Sequence, residues 1–252
     1  MRLRDGWRLA VGTLTRIPVR PPEVIDRASA GVAMLAAPVA ALPLAVGVGL
    51  LVWAGQHGVV SPLAVGLLAV GLLAWGTRML HLDGLSDTVD GLTASTDRVR
   101  SLEVMRSGTA GPSGVVALVV VIGLQAVCLT ALVGHRLGPL VAAAVVVASR
   151  SALAIACARG VPAARPDGLG ATVAGSVHPV AASLAWLVTA ALVWAATLNA
   201  GPDLGGLLAP ALAALAVAGF LWVAVRRVGG VTGDVLGACV EVALTVLLLS
   251  VA

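Results

Sequence analysis

HLDGLSDTVDGL, residues 81–92, follows a stretch with hardly a charge and places three aspartates within eight residues. Asp83, Asp87 and Asp90 stand at i, i+4 and i+7, a spacing that puts all three on one face of a helix. Like charges on one face repel unless something positive sits among them. Helix caps account for one aspartate at a time, not for three with a common face. Gly84 and Gly91 each follow an aspartate, where the lack of a side chain allows close approach of a ligand or another helix.

The chain around this segment is written for a bilayer. Of 252 residues 59% are hydrophobic and 11% charged, whereas about a quarter of a soluble protein is charged. The expected fold class is all-α: a polytopic membrane bundle of about seven transmembrane helices, with its active site at the cytoplasmic face. Seven apolar runs, 32–54, 59–77, 115–134, 137–156, 179–199, 205–225 and 235–252, approach the length needed to cross about 30 Å of hydrocarbon. They are continuous rather than alternating, which excludes a membrane β-barrel. The whole chain, 1–252, reads as a single membrane-embedded domain.

Basic charge sets the expected orientation. All 16 basic residues are arginine, and 15 of them, all but Arg136, fall before, between or after the spans on one side. The positive-inside rule makes that side cytoplasmic, with the amino terminus inside, in a multi-pass protein of the cell membrane. The net charge of +4 then needs no nucleic acid. Residues 1–30 read as an amphipathic inner-surface segment without the apolar core of a signal peptide. Cys128, Cys157 and Cys239 are isolated and have no metal spacing. The unusual residues collect in three inner segments, 78–114, 157–178 and 226–234, so function is expected there.

An oxygen-only set such as Asp83, Asp87 and Asp90 favours Mg²⁺, which keeps waters and takes substrate phosphates. Asp234 opens the last span, and Glu241 follows on the same helical face. An intramembrane glutamate is costly and points to function or to a buried partner. Gly229, Gly230 and Gly233 before and beside Asp234 suit a phosphate-cradling turn. With no lysine in the chain, a P-loop is excluded. Arg150, Arg159 and Arg165 offer guanidinium for phosphate, although topology alone explains any one of them. Carboxylates, arginines and glycine turns on one face suggest phosphoryl or phosphodiester transfer. An ion-coupled transporter fits less well, because its charges belong near the midplane, often in paired repeats.

HLDGLSDTVDGL resembles the adenosylcobinamide-GDP ribazoletransferase, or cobalamin synthase, family. Four further stretches agree: LTRIPVR (14–20), RSLEVMRSGTAGPSG (100–114), SRSALAIACARGVPAARPDGLG (149–170) and RRVGGVTGDVLGACVE (226–241). Where the family carries an acidic residue after Met-Arg and a basic one two positions on, this chain has Ser107 and Thr109. The resemblance implies transfer from adenosylcobinamide-GDP to alpha-ribazole, or its 5′-phosphate, giving adenosylcobalamin, or its 5′-phosphate, and GMP with Mg²⁺. It implies Asp83, Asp87, Asp90 and Asp234 at the metal and the chemistry, with His81 a proton carrier or an orienting group. Arg16, Arg106, Arg150, Arg159 and Arg165 would meet phosphate, with Gly230, Thr232 and Gly233 beside them. Glu103 and Glu241 are further acidic candidates, and a homo-oligomer is compatible with the sequence. The alternative is a CDP-alcohol phosphatidyltransferase-like enzyme, whose Asp-Gly-x-x-Ala-Arg element this chain lacks, since Asp83-Gly84 runs into Leu85-Ser86-Asp87.

Overall fold

The computed structural model describes residues 1–198 and 204–252, whose only β pairing is two isolated parallel bridges, Ala158 to Val177 and Ala163 to Val231. The outer connection expected at 200–204 lies outside the described residues except for Leu204. The amphipathic start forms α1 (Arg2–Leu14), which packs on α2 (Arg27–Ala40). Asp26 and Ser29 cap α2 reciprocally, backbone to side chain, at 2.7 and 2.8 Å. α3 (Leu42–Gln56) continues from α2, and α4 (Pro62–Gly76) returns. Then come α5 (Leu80–Ala94), α6 (Arg98–Arg106), α7 (Pro112–Ala131), α8 (Gly138–Arg150) and α9 (Ala152–Ala156). The chain ends through α10 (Gly168–Val173), α11 (Pro179–Thr197), α12 (Leu204–Val228) and α13 (Gly233–Val251). Proline in the first turn starts α3, α4, α7, α8 and α11, where its missing N–H costs nothing.

Among the described residues 6 helical runs are long and apolar enough to cross a membrane: Arg27–Gln56, Pro112–Gly134, Gly138–Ala156, Pro179–Thr197, Gly205–Val228 and Gly233–Val251. The second expected span, 59–77, departs from the others. Its helix α4 has 15 residues, about 22 Å at 1.5 Å per residue. It then turns by 89° into α5, so a seventh span exists only if this bent pair is counted as one. The run containing α8 and α9 and the helix α13 are each 72% buried and form the centre. α7, α11 and α12 surround them and turn Val119, Leu187, Val188 and Leu215 outward. Such an apolar exterior suits lipid and not water.

The corner between α4 and α5 aims the aspartate helix. Arg78 and Met79 stand at φ 56° and 62°, a left-handed conformation that costs a non-glycine residue roughly 1–2 kcal/mol. Neighbouring hydrogen bonds hold them there. Arg78 donates to the Gly12 and Thr13 carbonyls at the end of α1, the Met79 N–H reaches Ala74 O at 2.7 Å, and Arg16 N–H reaches Gly76 O at 2.8 Å. From this corner α5 crosses the start of α13 with almost no separation. A Cβ on Gly84 would lie 2.6 Å from Asp234 O, and one on Gly237 would lie 3.0 Å from His81 Cα. Small residues at a crossing let membrane helices pack backbone to backbone.

Gly84→Ala should therefore lower the unfolding temperature of the purified protein in detergent, by the roughly 1–3 kcal/mol typical of overpacking. Gly123→Ala, where an added Cβ meets nothing within 4 Å, should leave it unchanged. Equal melting temperatures for the two variants would contradict the crossing described.

Candidate active site at the arginine-rich face

The α5–α13 crossing brings two helices' carboxylates together. Asp234 sits in the first turn of α13, behind the N-cap Thr232, whose hydroxyl accepts from Val235 N–H at 3.2 Å. The Asp234 carboxylate accepts from Thr232 Oγ1 at 3.0 Å and from the Arg165 guanidinium at 3.1 Å. On α5, Asp83 is exposed and Asp87 half-buried, one turn apart on the same side. α5 is not one of the six spans. Burial, then the charges of Asp83, Asp234 and Asp90, push the Asp87 carboxyl up to about 6. Asp83, Asp87 and Asp234 thus form a carboxylate group with Arg165 at its edge.

Asp90, the third member of the row, is turned away from this group. Its two oxygens accept from the N–H groups of Gly111 at 2.6 Å and Gly114 at 2.8 Å, and it is 6% exposed. It caps α7, whose first amides need an acceptor. A Cβ on Gly114 would lie 2.3 Å from an Asp90 oxygen, which is why that position is glycine. Among the described residues no three His, Cys, Asp or Glu side chains converge closely enough to enclose a metal ion.

Two cavities flank the carboxylates. The polar one, about 400 Å³, is lined by Arg106, Arg165, residues 167–170 and residues 231–234. Arg165 keeps a buried Nε without a partner there. Arg106 is ion-paired with Asp167 at 2.6 Å. The glycine turn behaves differently from a cradle of free amides. Gly229 (φ 84°) and Gly230 (φ 153°) bend the chain, while Val231 N–H is spent on Pro162 O at 2.9 Å and Ala164 N–H on Val231 O at 2.9 Å. The amides left for an anion are those of Gly233 and Asp234 in the first turn of α13. The second cavity, about 470 Å³, carries Asp83, Ser86 and Asp87 at one end of an apolar groove between α4 and α7.

Other expected site residues lie elsewhere. Arg150 was expected beside Arg159 and Arg165 as a phosphate partner, but it is 1% exposed within the bundle and donates to Ser149 Oγ at 2.7 Å. His81 (2% exposed) and Glu241 (5%) lie in the same interior, with His81 Nδ1 3.9 Å from Glu241 Oε1. No hydrogen-bond partner reaches either His81 ring nitrogen, and neither cavity includes this residue. Gln125 completes the interior set, donating to Glu241 Oε2 at 2.7 Å and to Thr245 Oγ1 at 3.1 Å. Sequence reasoning passed over Gln125, although an amide midway along the apolar run 115–134 was the available signal. Arg16 stacks over Trp75 at 4.7 Å, Arg159 is exposed, and Glu103 pairs with Arg100 at 3.2 Å.

A family model described as Cobalamin-5-phosphate synthase matches residues 6–252. The chain belongs to that family. Curated relatives named adenosylcobinamide-GDP ribazoletransferase agree along the chain. One from a Nocardioides species is 54% identical over 98% of this chain and 98% of its own. Another from Frankia casuarinae is 38% identical over 97% and 93%, and one from Bradyrhizobium diazoefficiens is 36% identical over 96% and 91%. No solved structure matches. The chain is therefore an enzyme of cobalamin synthesis, embedded in a membrane by its apolar helices.

The divided aspartate row predicts divided phenotypes. Asp90→Asn should lower the unfolding temperature, because a buried hydrogen bond to a charged group contributes about 1.5–3 kcal/mol. Asp83→Asn and Asp87→Asn should leave it unchanged or raise it, since each relieves repulsion, while both reduce turnover. Thermal denaturation of the three variants distinguishes these classes, and an Asp90→Asn protein as stable as wild type would refute the capping role.

Proposed function

We propose that the enzyme carries out the closing step of cobalamin assembly, transferring the adenosylcobinamide phosphate group from adenosylcobinamide-GDP to alpha-ribazole or its 5′-phosphate. The observation that carries this reading is the meeting of Asp83 and Asp87 with Asp234 and Arg165 beside a polar cavity. A ribazole hydroxyl oxygen bonds to the phosphorus that bears the cobinamide. The bond from that phosphorus to the bridging oxygen breaks, and GMP leaves with the oxygen and its electron pair. Asp234, held by Thr232 and Arg165, takes the hydroxyl proton. The Arg165 guanidinium, which lines the polar cavity, and the first amides of α13 bind pyrophosphate oxygens.

Magnesium suits this donor set. The half-buried Asp87 carboxyl, crowded by like charges, favours a nearby cation. The absence of a closed three-ligand cage among the described residues is compatible with an ion that uses one or two carboxylates and completes its shell with water and substrate phosphate. Asp83 and Asp87 would hold it, and it would supply charge neutralisation at the pyrophosphate. On this reading the arginine-rich face is cytoplasmic in the cell membrane, with the amino terminus inside.

The reconstituted enzyme should release GMP from adenosylcobinamide-GDP only with ribazole or its phosphate and Mg²⁺ present, and lose this activity with chelator. Asp83→Asn and Asp87→Asn should each lower kcat by at least about tenfold. Normal turnover in both would remove the carboxylates from the mechanism. Arg165→Lys should keep abundance and orientation but lower kcat/KM for adenosylcobinamide-GDP, because lysine keeps the charge and lacks the planar fork. Arg2→Lys, in an exposed arginine of α1, should leave kinetics unchanged. Equal values for the two variants would make Arg165 a charge-bias residue. Cysteine labelling from the outside near residue 95 would overturn the orientation.

A further inference from the structure

The groove beside Asp83 and Asp87 is distinct from the polar cavity that suits pyrophosphate. Its walls are Leu67 and Gly71 of α4 and Leu118 and Ile122 of α7, and its volume is about 470 Å³. Asp83, Ser86 and Asp87 close one end. None of its lining residues is basic. Ser86 is 4% exposed, and its hydroxyl is buried beside Gly114 rather than open to the groove. The strained Met79 lies at the same rim, and strain of this kind gathers at ligand sites.

We propose that this groove is the acceptor subsite, taking the base of ribazole. The inference rests on the reading given under Proposed function and assigns one of its two substrates to a place. Ribazole is a riboside of an uncharged, methylated bicyclic aromatic base. Such a base fits apolar walls in a volume typical of small-molecule sites, and its sugar then meets the carboxylate end. The donor fits poorly, because its corrin ring is too bulky for the groove and guanine needs more polar partners than these apolar walls provide. Leu67 is 56% exposed, so the groove is open along its α4 wall.

Gly71 provides the test, because a Cβ added there meets nothing within 4 Å. Gly71→Phe fills the groove without displacing a neighbour, and Gly123→Phe, also in open space on α7, is the control. Steady-state kinetics with both substrates varied should show KM for ribazole raised about tenfold or more in Gly71→Phe, with KM for adenosylcobinamide-GDP within about twofold of wild type. Ile122→Trp should do the same from the opposite wall, which keeps the test decisive if Gly71→Phe is poorly produced. A rise in the donor KM instead would place the donor in the groove and overturn the inference while leaving the transferase reading intact. Unchanged kinetics in both filling variants would assign the groove to a lipid chain and overturn it likewise. A wild-type enzyme that releases no GMP with ribazole would overturn the transferase reading itself, and the inference with it.

Discussion

The contact between Gly84 and the backbone of Asp234 is the constraint on which the site depends. Any Cβ at Gly84 would meet the Asp234 carbonyl oxygen at 2.6 Å, so a side chain there would force α5 and α13 apart. The carboxylates ride on those two helices, Asp83 and Asp87 on one and Asp234 on the other. Separation would divide them and remove Arg165 from Asp87's surroundings. The direction of α5 is set at the left-handed pair Arg78 and Met79, and that pair is held by carbonyls at the end of α1. A surface helix at the amino terminus thereby helps position chemistry that it does not touch.

Arginine does more in this chain than mark a membrane side. Arg227 donates to Leu92 O and Ser95 O beyond the end of α5, Arg98 to Ala164 O and Arg27 to Gly175 O. Each ties an inner segment to another through orphan carbonyls that a cation near a helix end satisfies. Arg4 and Arg106 are spent on Glu23 and Asp167. Arg165 differs in lining the polar cavity with one nitrogen on Asp234; its buried Nε is unpartnered, as is that of Arg227. The same residue type thus ties segments together through carbonyls and pairs with carboxylates, and only the partners distinguish these uses.

That multiplicity explains where the sequence could be read and where it could not. Long apolar runs and the arginine bias reveal a helical membrane bundle, because hydrocarbon admits few solutions. The approach of another helix at Gly84 was legible from its place within the aspartate row. The bend at the end of 59–77 has a local cause: two residues without glycine's freedom turn the chain, and nothing in Arg78-Met79 announces it. Periodicity places Asp90 on the face of Asp83 and Asp87, yet it cannot show that the α7 amides of Gly111 and Gly114 arrive there first. Arg150 falls inside the expected span 137–156, yet its charge groups it with Arg159 and Arg165 as a phosphate partner. Only tertiary packing reveals that it points into the interior.

The interior set beneath the site gives those helices their height. α13 carries Asp234 at the site and Glu241 in the interior, two turns apart on one face, and Glu241 is engaged by Gln125 of α7. α5 likewise carries Asp83 and Asp87 at the surface and His81 below, 3.9 Å from Glu241. Apolar membrane helices can slide or rotate against each other at little cost, since one leucine contact resembles the next. A buried polar group has few partners, and leaving it without one is expensive in hydrocarbon. Fixing Glu241 against Gln125 therefore fixes the register of α13 against α7. The carboxylates above can stand at defined separations because that bond holds α13, and the close contacts at Gly84 and Gly237 hold α5 against it.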